Sequence, residues 1–90
     1  MRPARYEWDE AKRAANVAKH GIDFAKITTF DLLAAVIVDD RRSDYGEHRL
    51  RAYMRREGVG YALSFTWRGA TMRIISLRRA REREMRRHGI

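Results

Sequence analysis

The chain has 90 residues, with 20 Lys+Arg against 12 Asp+Glu, three His, no Cys, one Pro and a formal net charge of +8. That length supports one hydrophobic core and hence one domain over 1–90, while a hydrophobic share of 44% argues against disorder. The lack of cysteine excludes a disulfide scaffold or thiolate zinc site, and with no apolar run near the ~20 residues of a membrane span and no signal-peptide core, the composition describes a small, soluble, cytoplasmic α+β domain.

Residues 4–8 read as a short opening strand. Asp9 is placed to cap a helix over Glu10–His20, in which Ala11, Ala14, Ala15 and Ala18 recur at helical spacing and offer a narrow face for close packing. Gly21 suits the left-handed position that ends it. Asp23 can cap a second helix with Phe24, Ile27 and Phe30 as its apolar stripe, ending near Leu32 or Leu33. Residues 35–39 are short and β-branched, hence a strand, and a polar loop follows from Asp40 to Gly46.

The next stretch alternates. Glu47, Arg49, Arg51, Tyr53 and Arg55 share one parity; His48, Leu50, Ala52 and Met54 share the other. From Tyr61 to Trp67 the apolar residues Tyr61, Leu63, Phe65 and Trp67 alternate with Ala62, Ser64 and Thr66. Two strands are expected, joined through Gly58 and Gly60, with Arg68-Gly69 turning into a third over 70–77. That third strand carries Met72, Ile74 and Ile75, apolar on both faces as a covered central strand would be. A short, highly charged helix over about 79–88 ends the chain.

Stacked as an antiparallel meander, these strands have an apolar face (Leu50, Ala52, Met54, Leu63, Phe65, Trp67) for the two N-terminal helices to cover. The opposite face carries Arg49, Arg51, Tyr53, Ser64, Thr66 and one parity of the last strand, including Arg73. Such a face is either an ordinary solvated sheet surface or a platform for single-stranded RNA, with guanidinium groups on phosphates and an aromatic ring under a base. Between Arg73 and His88 there are seven Arg against Glu82 and Glu84, which makes a concentrated positive edge beside the sheet. Seventeen of the twenty basic residues are Arg, whose planar fork grips phosphate through two hydrogen bonds. High-GC codon usage explains the same excess equally well.

Trp8-Asp9 before a helix, Asn16, Lys19-His20-Gly21, an Asp-rich strand end, Tyr45-Gly46-Glu47 with Arg49, then Arg73-Ile74-Ile75-Ser76, Arg78-Arg79-Ala80 and Glu84 form an ordered set across nearly the whole chain. That set resembles the BrnT toxins of type II toxin–antitoxin modules. The resemblance implies a RelE-like α+β fold and metal-independent RNA cleavage without a cofactor. It also implies a cognate antitoxin of the BrnA type in a 2:2 heterotetramer, which meets operator DNA only through the antitoxin. Two departures stand out: His88 where members often have Tyr, and a loop over 39–45 lacking the Pro some members show.

Metal-free RNA cleavage needs removal of the 2′-OH proton, stabilisation of a dianionic phosphorane and protonation of the leaving 5′-oxygen. Arg49 and Arg73, on strands, are the candidate cations for the developing charge. His20, Glu84 and His88, with Glu47 behind them, are the candidate proton carriers; His20 could equally be a helix-terminal cation, and Glu84 a partner for a neighbouring Arg. Lys19, Arg51, Tyr53, Ser76, Arg78, Arg79 and Arg83 are the candidate RNA contacts. No metal set is expected, because the His are scattered and Arg41-Arg42 compete for Asp39, Asp40 and Asp44, which are read as a solvated loop or as salt-bridge partners for the basic C-terminal helix. Two other functions fit the same residues without the resemblance: a non-catalytic RNA- or DNA-binding module, and a subunit whose basic groove holds an acidic peptide. A toxin this basic is expected to meet an Asp/Glu-rich antitoxin segment that shields Arg49, Arg73 or the C-terminal helix.

Overall fold

Strict alternation builds the middle of the molecule. In the computed structural model, which describes residues 3–42 and 44–90, strands β3 (Arg49–Arg56) and β4 (Val59–Arg68) pair antiparallel around Glu57-Gly58. Both turn residues have positive φ, 53° and 80°, the backbone geometry that matches the twist of a tight hairpin. β5 (Thr71–Arg79) continues the meander, β2 (Val36–Asp39) pairs antiparallel with the outer side of β3, and β1 (Arg5–Trp8) pairs parallel with β5. The result is an α+β chain on a five-stranded, mainly antiparallel mixed sheet of order β1-β5-β4-β3-β2.

Helix α1 (Glu10–His20) forms as expected. The Asp9 carboxylate accepts from the Lys12 N–H, and Gly21 closes the helix at φ 70°. Its alanine face, however, does not pack: Ala11, Ala14, Ala15 and Ala18 are all exposed, and Asn16 is the buried residue of the helix. The reason lies in β5. β1 pairs with it only over Thr71–Ile74, so the Leu77 peptide groups have no strand neighbour on that side. The Asn16 carboxamide takes that place, accepting from the Leu77 N–H at 3.1 Å and donating to the Leu77 carbonyl at 2.8 Å and the Ile22 carbonyl at 2.8 Å. The inward side of α1 is therefore polar.

The expected second N-terminal α-helix is instead a pair of 3₁₀ segments, Phe24–Thr29 and Leu32–Ala34, capped by Asp23 and Asp31. Thr28 and Thr29 bond back to the carbonyls of Ala25 and Lys26, and the fresh cap at Asp31 interrupts propagation. These segments, rather than α1, cover the apolar sheet face. Ile22, Phe24, Ile27 and Leu32 pack with Ala52, Met54, Leu63, Phe65, Met72, Ile74 and Leu77. Trp67, expected in this core, is 37% exposed at the end of β4, edge-on to Phe65.

Two further departures shape the other face. Ile75 is an extra residue in β5, since Phe65 pairs with Ile74 and Ser64 with Ser76. Strand β5 also runs on to Arg79, so the last helix, α2 (Glu82–Arg87), begins later than expected. It folds back over the sheet, where Met85, Ala80, Tyr53 and Ala62 form a second, smaller core. Gly60 permits the contact: a Cβ there would stand 2.5 Å from Met85 Cγ and 2.8 Å from its Sδ. Arg55 ties the helix down, donating to Glu82 at 2.8 and 2.9 Å and to the Ile90 carbonyl at 3.1 Å.

Candidate nucleic-acid interface and active site

Strand pairing sorts the polar face into three rows. Glu7, Arg73, Thr66 and Arg49 form the first; Ser76, Ser64, Arg51 and Val38 the second; Arg78, Ala62, Tyr53 and Val36 the third. The bulge at Ile75 is what puts Arg73, Ser76 and Arg78 on one face, because strict alternation would place Arg73 opposite to Ser76 and Arg78. From Arg49 to Tyr53 along β3 the rows extend over about 13 Å.

In the first row the two arginines are already paired. Arg73 lies 3.3 Å from Glu7, and Arg49 donates to Glu47 at 3.0 Å while its guanidinium rests 4.1 Å above the Tyr45 ring. Both side chains are mostly covered. The third row lies under α2. Tyr53, expected as an open base-stacking ring, is fully buried and stacked on His88, with the Arg51 guanidinium 5.6 Å from its ring centroid. Its covering by α2 corrects that expectation: the third row serves as core. Arg78 and Glu84 form a two-point ion pair, 2.9 Å in both bonds. Arg78 therefore holds the Glu84 carboxyl below its ordinary range, which leaves Glu84 ionised and unsuited to donating a proton at neutral pH.

In the loop after β2, Asp40 pairs with an arginine of the loop itself and not with the basic C-terminal helix. The Asp40 carboxylate is 1% exposed and is gripped by Arg42 at 2.8 and 2.7 Å, with the Arg42 N–H adding a third bond. That grip lowers the Asp40 pKa to about 2. Arg42, Arg51, Arg78 and Glu84 all act electrostatically on the Tyr53 hydroxyl, so Asp40, Arg42, Arg51, Tyr53, Arg78, Glu84 and His88 form one cluster. The signal for Asp40 and Arg42 was present in the Asp-Asp-Arg-Arg run, but the fold is needed to see that Asp40 follows the inward parity of Val36 and Val38.

The remaining candidates fall in two grooves. Lys19 and His20 stand with Lys12, Ile75 and Ser76 between α1 and β5. Burial first, then Lys19 and Arg78, push the His20 pKa below its ordinary value, which favours the neutral imidazole. Arg78, Arg79, Arg81, Arg83 and Arg87 line a groove of about 260 Å³ around α2, with Glu84 as its single acid. Among the described residues no three His, Asp or Glu side chains gather as a metal-ligand set, and no helix is long and apolar enough to cross a membrane.

Comparison with known proteins gives these features a setting. Residues 8–84 match the family model described as the ribonuclease toxin BrnT of type II toxin–antitoxin systems. The structure is similar to the 1.1 Å crystal structure of the Brucella abortus ribonuclease toxin BrnT, with a TM-score of 0.72 and 33% identity over 87% of this chain and 97% of that one. No curated protein matches the sequence. The family match runs from Trp8, the last residue of β1, into the first turn of α2 and includes the ordered motifs from Trp8 to Glu84, and the chain belongs to the BrnT family of ribonuclease toxins of type II toxin–antitoxin systems.

Proposed function

We propose that this chain is a single-domain, RelE-like toxin of the cytoplasm that cleaves RNA without a metal ion and is held inactive by a cognate antitoxin. The observation that carries the reading is the convergence of rigid guanidinium groups on the polar face of β3–β5. Arg49 and Arg73 bind the RNA strand and oppose charge building on it. Arg51, Ser76, Arg78, Arg79 and Arg83, with Lys19 from α1, extend the binding surface, and Tyr53 acts beneath it as a packing base for His88. Electrostatics aimed at a developing dianion are worth several orders of magnitude in rate.

Proton transfer falls to the histidines in this reading. His20, kept neutral by its surroundings, suits removal of the 2′-OH proton; His88 suits delivery to the leaving oxygen. Glu84 serves by fixing Arg78 and standing beside His88. Metal independence is supported by the state of the carboxylates: Asp40 and Glu84 are each committed to an arginine through two bonds. The antitoxin, of BrnA type and in a 2:2 assembly, presents an acidic segment to the same face, and operator DNA is met through the antitoxin alone.

The test is cleavage of end-labelled naked RNA in excess EDTA, with Arg73→Ala and Glu84→Ala beside the wild type and binding measured in parallel. Cutting that survives EDTA and falls in both variants supports the reading. Tight binding without cutting, even with ribosomes added, would make the chain a binding module instead.

A further inference from the structure

Pairing of the arginines on the polar face is uneven. Arg49 is matched by Glu47 at 3.0 Å, Arg73 by Glu7 at 3.3 Å, Arg78 by Glu84 at 2.9 Å and Arg42 by Asp40 at 2.7 Å. Arg51 stands between the Arg42–Asp40 and Arg78–Glu84 pairs, and among the described residues it has no carboxylate within 4.0 Å. Its Nε–H is buried and finds no acceptor among the described residues. Buried polar groups in folded proteins almost always find a partner, and here it is the Nε–H of a half-buried guanidinium that lacks one. The two nearest carboxylates could not easily be borrowed, since each is held by two bonds to its own arginine.

Two serine hydroxyls lie across the sheet in register with Arg51, Ser64 on β4 and Ser76 on β5, and Ser64 is itself buried. A guanidinium and two hydroxyls, each able to turn its O–H outward, can all donate to an incoming anion, and the row holds no carboxylate. The paired arginines carry bonded counter-charges and attract an anion less; Arg51, with no carboxylate bonded to it among the described residues, is the more open to one at the centre of the face.

We propose that Arg51 is a further catalytic residue, the guanidinium that contacts the phosphodiester under attack and takes up the charge of its phosphorane, with Ser64 and Ser76 completing the oxyanion cradle. This rests on the ribonuclease reading. In that step the 2′-oxygen bonds to phosphorus as its proton leaves to a base, the non-bridging oxygens gain the charge, and the P–O5′ bond breaks as the 5′-oxygen is protonated. Arg51 forms and breaks no covalent bond.

The experiment compares wild type, Arg51→Ala and Arg51→Lys with Lys26→Ala, a charge removal away from the polar face. For each, the single-turnover cleavage rate at saturating protein is measured beside the Kd for the same RNA carrying a 2′-deoxy at the cleaved position. We expect Arg51→Ala to lose about 10²–10³-fold in rate and only a few-fold in Kd. Arg51→Lys, which keeps the charge but not the fork, falls between and reports on a folded protein. Lys26→Ala, on the exposed side of the 3₁₀ segment Phe24–Thr29 and outside the polar face, leaves both rate and Kd near those of wild type. An Arg51→Ala rate within three-fold of wild type, or losses in rate and Kd of equal size, would overturn the proposal.

If wild type cleaves nothing, the ribonuclease reading fails on its own account. The anion site is then judged by titrating the wild-type protein with inorganic phosphate while following the Arg51 Nε–Hε NMR resonance. A saturable shift of that signal supports the site, and a signal that stays put overturns it.

Discussion

His88 and Tyr53 are stacked, with ring centroids 4.0 Å apart and planes inclined by 17°. The contact fastens the C-terminal end of α2 to the sheet and places an imidazole beside Glu84. Replacing His88 by Phe keeps the stack and removes the proton carrier. We expect His88→Phe to hold the wild-type melting temperature within about 2 °C and to cleave RNA roughly 10²-fold more slowly. His88→Ala should in addition lose about 1 kcal/mol of stability with the stack. Full cleavage by His88→Phe would reduce His88 to a packing residue.

Asp40 ties stability to acid. Its pKa falls from the ordinary 3.8 to about 2 because Arg42 bonds to the charged form. The unfolded chain therefore binds a proton at higher pH than the folded one does. The stabilisation is complete above pH 4 or so and is lost as pH falls toward 2. Urea midpoints of wild type and Asp40→Asn, measured from pH 7 down to pH 2, should differ most at the upper end and converge at the lower. A constant gap across that range would place the acid dependence elsewhere.

Asn16 supports β5 with donor and acceptor alike. Asn16→Leu leaves the Leu77 peptide groups buried without partners and should cost about 1–3 kcal/mol in denaturant unfolding. Asn16→Asp should be no better, because its carboxylate faces the Leu77 and Ile22 carbonyls. Wild-type stability in either variant would show that other groups close this edge of the sheet.

Gly60 works by leaving room. Gly60→Ala drives a methyl group against the fully buried Met85, and we expect a loss of about 1–3 kcal/mol. Exchange of α2 amides should quicken more than exchange in β3–β5. Combining the change with Met85→Ala should recover part of the loss, and a double variant worse than the sum of the two would contradict the steric cause.

His20 should set the acid limb of the pH–rate profile. Its pKa lies below the ordinary 6.5 through burial and the nearby Lys19 and Arg78. A base role then makes cleavage rise with pH and level off at a lower pH than an unperturbed histidine would set. Lys19→Ala should move that limb upward, and His20→Gln should flatten it. A limb unchanged in His20→Gln assigns the titration to another group.

Much of this architecture is visible in the residue order, and the failures have causes. Alternation reports faithfully at the middle of β3 and β4, where Leu50, Ala52, Met54, Leu63 and Phe65 share the covered face, and fails at the strand ends, where Trp67 lies 37% exposed. Ile74-Ile75 misleads: the doublet looks like a strand covered on both faces, whereas it marks the bulge that carries Arg73, Ser76 and Arg78 to one surface. The alanines of α1 mislead in another way, since small residues suit both close packing and solvent, and only the demand of Leu77 for a hydrogen-bonding neighbour decides the side. The arginines themselves were legible as candidates. Which of them lacks a carboxylate depends on partners as distant as Glu7 for Arg73 and Glu84 for Arg78, and no spacing rule supplies that.

The carboxamide of Asn16 has one more consequence, for how copies of the protein meet. Open strand edges invite pairing between molecules and the growth of fibrils. By standing in for a strand neighbour at Leu77, Asn16 seals the stretch of β5 that β1 leaves uncovered. The outermost strands, β1 and β2, are four residues each, too short to template much. A chain that must persist in a cell beside its own inhibitor thus offers aggregation little purchase.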